Sequence, residues 1–140
     1  MSLRRRRKGR NILNVKVLAD TSAWIEYFNS TSKTGNILES LMSSDSIVTC
    51  GIVIFELMQG IKSEKEKSTI LNAISELPYI EMNLNLWQKS SALSASLRKN
   101  GLILPISDIF IATIAIAHNL RILTLDKHFE SIPGLTTYKL

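Results

Sequence analysis

Short apolar runs alternate along the chain with longer segments in which apolar residues recur at helical spacing. The short runs predict buried β-strands at residues 15–19, 46–49, 79–82, 121–125 and 136–139. The longer segments predict α-helices at residues 21–28, 35–42, 51–61, 84–99 and 108–118, with one more that follows the charged residues 62–67 and ends near residue 77. Strands that alternate with helices predict an α/β fold of three layers, α/β/α, in which a mainly parallel central sheet lies between helices.

Two of these helices have further expected features. Thr21 or Ser22 can cap the first helix, and Ser107 can cap the helix at residues 108–118. The segment at residues 51–61 is apolar nearly all round, apart from a narrow polar stripe that includes Glu56. Such a helix is expected to be buried, with its polar stripe at the ends of the strands.

Size and composition indicate one domain outside the membrane. The chain has 140 residues, of which 45% are hydrophobic, and its longest apolar stretch is residues 109–117. That stretch is shorter than the roughly 18–20 residues that cross a bilayer. No apolar segment follows the basic start, as a secretory signal would require. Cys50 is the only cysteine, so no disulfide can form within the chain. We therefore expect a cytoplasmic protein.

The net charge of +5 is concentrated at one end of the chain. Six of the 17 basic residues lie within residues 4–10, which leaves 11 basic and 12 acidic side chains in the rest. This contrast predicts a basic N-terminal arm at residues 1–10 and a single domain at residues 11–140. Basic blocks of this kind are typical of arms that bind nucleic acid. The candidates for contact with RNA are Arg4, Arg5, Arg6 and Arg7. The alternative is that the first residues are not the native start.

Four acidic residues stand where this fold would bring side chains together. Asp20 ends the first predicted strand and Asp126 follows the fourth, while Glu56 and Asp108 belong to two apolar helical segments. The carboxyl ends of parallel strands share one edge of the sheet, where ligands bind in open α/β sheets. Clustered carboxylates repel one another unless cations hold them together, and hard divalent cations prefer carboxylate oxygen. We therefore predict a site for one or two Mg²⁺ or Mn²⁺ ions and chemistry on phosphate groups.

Each acid also has a simpler explanation. Asp20 and Asp126 would each cap the segment that follows, Asp108 would complement a helix dipole, and Glu56 would face water. His128 is interpreted as an exposed turn histidine, with contact to substrate as the alternative. Four such coincidences are less expected than one shared site, which favours the functional interpretation.

The acids occur in four segments, in the order Val17-Leu18-Ala19-Asp20-Thr21-Ser22-Ala23-Trp24-Ile25, Phe55-Glu56-Leu57-Met58-Gln59-Gly60, Asp108-Ile109-Phe110-Ile111-Ala112-Thr113-Ile114-Ala115 and Leu123-Thr124-Leu125-Asp126-Lys127-His128-Phe129. With these segments the chain resembles the PIN-domain family of ribonucleases, and most closely the single-domain VapC toxins of type II toxin–antitoxin pairs. Order and spacing agree along essentially the whole chain after Arg10. The arginine-rich start is not part of the family pattern.

The resemblance implies a PIN-like fold and a metal-dependent endoribonuclease that cleaves RNA by metal-activated water. The catalytic, metal-binding quartet that it implies is Asp20, Glu56, Asp108 and Asp126. It implies second-shell or water-binding roles for Ser22 and Thr124. By position, Asp20 is expected to lie closest to the ions. The expected partners are RNA as substrate, a small antitoxin protein that covers the site, and a second copy of the chain in a homodimer.

Other protein classes fit less well. A receiver domain would have a second acid beside Asp20, and a haloacid-dehalogenase-like phosphatase would have aspartate where Ser22 stands. The main alternative is a catalytically inert PIN-like module that binds RNA or protein without metal. An intact set of four acids argues against that alternative.

Overall fold

A single five-stranded sheet forms the centre of the protein. The computed structural model describes residues 16–29 and 31–139, so the predicted arm at residues 1–10 and the predicted strand residue Val15 lie outside the described residues. The strands are β1 (Val17–Ala19), β2 (Ile47–Cys50), β3 (Tyr79–Ile80), β4 (Arg121–Leu123) and β5 (Thr136–Thr137). They run parallel in the order β3-β2-β1-β4-β5. The predicted α/β fold with a parallel sheet is confirmed.

Helices connect most of these strands. In the described part of the chain they are α1 (Thr21–Asn29), α2 (Lys33–Ser43), α3 (Gly51–Gln59), α4 (Glu64–Ile74), α5 (Leu84–Lys99) and α6 (Ile106–Ala117), and a 3₁₀ helix spans Lys127–Ser131. Ser32, Ser63 and Asn83 cap α2, α4 and α5 by accepting a hydrogen bond from the backbone three residues ahead. Gly101 follows α5 with a φ of 81°, which glycine adopts without strain, and the predicted bounds of this helix are confirmed.

Several predicted boundaries are wrong by two residues, and two of these lie next to acidic residues of interest. Helix α6 begins at Ile106 rather than Asp108, and its N-cap is Pro105 rather than Ser107. The Pro105 carbonyl accepts hydrogen bonds from the N–H groups of Asp108 and Ile109, at 3.1 and 3.2 Å. Ser107 therefore already belongs to the first turn of the helix.

Strand β4 ends at Leu123 rather than at Leu125. Beyond its end, the Leu125 N–H donates to Ser22 Oγ at 3.0 Å, and the Asp126 N–H donates to Thr124 Oγ1 at 2.9 Å. Side-chain acceptors thus replace the neighbouring strand as partners of the backbone, which stops the ladder. This early end turns the chain toward the edge where β1 also ends.

Helix α3 is less buried than its apolar sequence predicts. Val53 and Leu57 are buried, whereas Phe55 keeps 60% of its surface exposed. A helix that packs on a sheet with one face leaves its opposite face outside the core. An exposed aromatic residue in this position is a candidate for contact with another molecule.

The core lies on both sides of the central strands. Strands β1 and β2 are buried at every position, as expected of parallel strands covered by helices on both faces. Trp24 and Phe129 are the largest fully buried side chains of the described residues. Within residues 16–29 and 31–139, no helix has the combined length and apolar character to cross a membrane.

Candidate metal and catalytic site

The sheet brings two of the four acids to the same edge. Ala19 at the end of β1 is paired with Leu123 at the end of β4. Asp20 follows directly, and its N–H donates to the Leu123 carbonyl at 3.0 Å. Asp126 follows Leu123 by three residues, in the turn that enters the 3₁₀ helix. Both acids therefore leave neighbouring parallel strands at their carboxyl ends, where ligands bind in sheets of this kind.

Asp20 is buried, with 4% of its surface exposed, and several groups hold its carboxylate. Oδ1 accepts hydrogen bonds from Ser22 Oγ at 2.7 Å and from the Ala23 N–H at 3.0 Å. Oδ2 accepts a hydrogen bond from Thr124 Oγ1. Because the Ala23 N–H belongs to the first turn of α1, Asp20 caps this helix. The expectation that Thr21 or Ser22 caps it is wrong, since both hydroxyls have other partners.

Ser22 and Thr124 connect Asp20 to the turn that carries Asp126. Each hydroxyl donates to the Asp20 carboxylate and accepts a backbone N–H, Ser22 from Leu125 and Thr124 from Asp126. The carboxylate of Asp126 in turn accepts the His128 N–H at 2.9 Å and caps the 3₁₀ helix. One connected set of hydrogen bonds thus determines how the two strand ends face each other.

Glu56 reaches the same region from α3. Thr21 Oγ1 donates to Glu56 Oε1 at 2.5 Å, which joins the start of α1 to the middle of α3. The side chain is partly buried. A hydroxyl that donates to a carboxylate restricts its orientation and leaves the second oxygen for another partner. Glu56 is therefore held against Thr21, the residue that follows Asp20, and its charge acts on Asp108.

Asp108, Asp126 and His128 form the tightest group of potential ligands among the described residues. One ligand atom from each lies within 4.8 Å of the other two. His128 Nδ1 is 3.1 Å from Asp126 Oδ1 and 3.4 Å from Asp108 Oδ2. Asp20 and Glu56 are not members of this group. His128 is exposed, as expected, but its contact with both acids was not anticipated; a histidine two residues after a capping aspartate is the signal for it.

The acids influence one another electrostatically. Burial raises the pKa of Asp20 above its ordinary value, hydrogen bonds from Ser22, Thr124 and Ala23 oppose that rise, and the charge of Asp108 adds to it. Burial also raises the pKa of Asp108, with the His128 hydrogen bond opposing the rise and the charges of Asp126 and Glu56 adding to it. Carboxylates that repel in this way, with an imidazole nitrogen beside them, suit a divalent cation.

A cysteine nucleophile is excluded. Cys50 is buried at the end of β2, and burial raises the pKa of its thiol to about 11. A thiol with that pKa is protonated at neutral pH and is inert as a nucleophile. The side chains available for chemistry at the site are therefore carboxylates, hydroxyls and one imidazole.

Comparison with known proteins identifies the family of the chain. The family model for the PIN domain matches residues 17–135. Ribonuclease VapC11 of Mycobacterium tuberculosis is 27% identical over 86% of this chain and 93% of its own length. Ribonuclease VapC2 of Rickettsia felis is 32% identical over 71% of this chain and 78% of its own length. A toxin–antitoxin complex from Klebsiella pneumoniae contains a chain with the same fold, with a TM-score of 0.72 and 24% identity over 89% of this chain and 100% of that chain. The chain belongs to the PIN-domain family.

Proposed function

We propose that the chain is a metal-dependent endoribonuclease and the toxin of a type II toxin–antitoxin pair. The observation that carries the proposal is the group of Asp108, Asp126 and His128 beside the buried Asp20, at the edge where β1 and β4 end. Relatives along most of the chain are named ribonucleases, which supports RNA as the substrate. A catalytically inert PIN-like module is the alternative, and it would have no need for these interacting carboxylates.

The proposed cofactor is Mg²⁺ or Mn²⁺, as one or two ions. Asp108 and Asp126 would hold it, with Asp20 contributing Oδ2, which accepts a single hydrogen bond and keeps lone-pair capacity. A divalent ion supplies a more acidic water for attack on the phosphate and neutralises charge there. Glu56 would bind the ion through a water molecule or orient the water that attacks the phosphate. Ser22 and Thr124 keep the Asp20 carboxylate oriented, and without a cation the acids would repel the RNA phosphate.

The decisive experiment is end-mapped cleavage of total RNA by the purified protein. With Mn²⁺ or Mg²⁺ we expect cuts at defined positions, and with EDTA we expect none, because the carboxylates need the ion to accept a phosphate. The Asp126→Asn protein is the matched control and should not cut. RNA that is bound in all conditions but never cut would establish the inert module instead.

We propose that a small antitoxin protein occupies a cleft beside Glu56. The cleft has a volume of about 460 Å³, and its apolar wall includes Ile25, Phe28, Leu57 and Ile70. Ile25 is 46% exposed, although it is a large apolar residue. A partner that fills this cleft would reach the acids through Glu56. The Klebsiella pneumoniae neighbour is a toxin–antitoxin complex, which supports a partner of this kind.

We propose that a second copy of the chain covers another apolar surface, on the far side of α3. A cleft of about 230 Å³ is lined there by residues that include Phe55, Tyr79, Trp87 and Phe110. Phe55, Tyr79 and Trp87 are each at least 44% exposed, and the rings of Trp87 and Phe110 lie edge to face at 5.0 Å. Exposed aromatic residues grouped in this way are typical of protein interfaces.

Two substitutions test these surfaces against each other. Trp87→Glu should convert the dimer to a monomer and leave antitoxin binding intact, because it places a charge in the aromatic cleft. Ile25→Glu should weaken antitoxin binding by about tenfold or more and leave the dimer intact. Trp87 and Ile25 are 50% and 46% exposed, so both changes should be similarly tolerated by the fold. Light scattering measures the dimer and co-purification measures antitoxin binding. If Trp87→Glu lost the antitoxin and Ile25→Glu lost the dimer, the two surfaces would have the opposite roles.

We propose that the protein is cytoplasmic. We also propose that the arm at residues 1–10 adds affinity for RNA. Outside the arm the chain is close to neutral, so Arg4, Arg5, Arg6 and Arg7 are the main concentration of positive charge. Contacts between such residues and phosphates release counterions and are independent of sequence. The arm would therefore strengthen binding without choosing the cleavage site.

Deleting residues 1–10 should weaken RNA binding and flatten its dependence on salt. If about four arginines contact phosphates, the slope of log affinity against log salt should fall by roughly three, as for single-stranded RNA. The mapped cut sites should not change, because the acids that perform the cleavage remain. Equal salt slopes for the full chain and the truncated chain would exclude this role.

A further inference from the structure

The imidazole of His128 is held against two acids of the site by the local backbone. The His128 N–H donates to Asp126 Oδ1 at 2.9 Å, in the first turn of the 3₁₀ helix. The next residue, Phe129, is completely buried and anchors that helix in the core. The His128 side chain is 53% exposed, but its backbone is restrained on both sides, by the hydrogen bond to Asp126 and by the buried Phe129. Its position beside Asp108 and Asp126 is therefore a property of the fold.

The separations of the three donor atoms match those within a metal coordination shell. Neighbouring ligands of a six-coordinate ion with bonds of about 2.1 Å are about 3.0 Å apart. His128 Nδ1 is 3.1 Å from Asp126 Oδ1 and 3.4 Å from Asp108 Oδ2, so adjustment by a few tenths of an ångström would bring the nitrogen to ligand spacing from both oxygens. An imidazole nitrogen is also a good ligand for transition-metal ions.

The other two acids are differently engaged. Three hydrogen bonds hold the Asp20 carboxylate, and Thr21 holds one oxygen of Glu56. Neither acid belongs to the group whose ligand atoms lie within 4.8 Å of one another. The nitrogen of His128 is thus the third donor of the group that contains Asp108 and Asp126.

We propose that His128 binds the divalent ion directly through Nδ1, together with Asp108 and Asp126. The proposal rests on the metal dependence proposed above and assigns a nitrogen ligand to a site that otherwise consists of carboxylates. A set of purely oxygen ligands suits Mg²⁺, whereas a nitrogen ligand favours first-row transition ions. The site consequently prefers Mn²⁺ to Mg²⁺.

Electron paramagnetic resonance of Mn²⁺ bound to the full-length protein tests this ligand without RNA. The ¹⁴N modulation of a directly bound imidazole should be present in the parent protein and absent in His128→Asn. Asparagine keeps the backbone N–H that donates to Asp126 and offers a side-chain amide as hydrogen-bond donor, so the substitution removes only the imidazole. His118→Ala is the matched control, because His118 is exposed and lies at the opposite end of α6 from Asp108. The ¹⁴N signal of this variant should equal that of the parent.

Affinity provides the second measurement. The dissociation constant of Mn²⁺, from titration followed by the same spectra, should rise by about tenfold or more in His128→Asn. Competition with Mg²⁺ should show that the dissociation constant of Mg²⁺ rises less than that of Mn²⁺. The preference of the variant for Mn²⁺ should therefore be weaker than that of the parent. A parent protein that binds Mn²⁺ without a ¹⁴N signal, or equal affinities in parent and variant, would overturn the proposal. A ¹⁴N signal in a protein that cuts no RNA would support the ligand and contradict only the ribonuclease assignment.

Discussion

Asp20→Asn should lower RNA cleavage by about a hundredfold or more and leave the metal-free protein at least as stable as the parent. Asparagine keeps an oxygen that accepts from Ser22 and Ala23, so the cap of α1 is retained. It also removes a buried charge whose pKa is raised by burial. With Mn²⁺ at a hundredfold excess over its dissociation constant, the parent should gain about 2.7 kcal/mol, and the variant should gain much less. Melting curves with EDTA and with Mn²⁺, beside a cleavage assay, measure these outcomes.

Asp20→Ala is the control that separates capping from metal binding. Alanine removes the cap as well as the charge, so we expect a loss of about 0.5–2 kcal/mol relative to Asp20→Asn in EDTA. Both variants should be inactive. If Mn²⁺ stabilised Asp20→Asn as much as the parent, Asp20 would have no part in metal binding, and its role would be that of a helix cap.

Asp108→Asn should raise the stability of the metal-free protein at neutral pH and flatten its dependence on pH. Asp108 and Asp20 have pKa values above their ordinary value of 3.8, so the folded state holds protons that the unfolded state has already released. The free energy of unfolding of the parent should therefore fall as pH rises from about 4 through these raised values, and be constant above them. Asparagine removes one of the two titrations, and it also removes the charge of Asp108, which adds to the effect of burial on the pKa of Asp20.

Urea unfolding in EDTA between pH 4 and pH 8 measures this effect. Glu130→Gln, which removes an exposed charge from the 3₁₀ helix, should leave the pH profile of the parent unchanged. In Mn²⁺ the parent should be more stable than Asp108→Asn, because the parent gains stability from the ion and the variant has lost a ligand. A parent profile that is flat in EDTA would show that neither burial nor repulsion raises the pKa values of these carboxylates in the folded state.

Much of the site could be predicted because its main residues are tied to regular elements. The apolar runs that end at Asp20 and shortly before Asp126 place both acids at strand ends, and the parallel sheet then brings those ends together. Glu56 and Asp108 were predicted as site residues because each is a single acid in an apolar helical segment. These inferences need only the periodicity of each segment and the alternation of strands with helices, which predicts parallel strands.

What could not be predicted depends on contacts between distant residues. Any of Asp20, Thr21 and Ser22 can cap a helix, and the choice is made by Glu56 and Leu125, which engage the two hydroxyls. The contact between Leu125 and Ser22 also contributes to the early end of β4. The position of the His128 ring depends on a 3₁₀ helix and on Asp108, twenty residues away in sequence. Helix α3 was predicted to be buried because an apolar sequence does not reveal which of its residues pack on the sheet and which stay exposed.

The hydrogen bonds that join Ser22 to Leu125 and Thr124 to Asp20 span more than a hundred residues of a chain of 140. Contacts of such separation form late, because the intervening chain must be ordered before they close. A chain that stops before residue 124 therefore lacks the Thr124 hydroxyl that orients Asp20, and it lacks Asp126 itself. Both strand ends must be folded before these two acids can lie at one edge of the sheet.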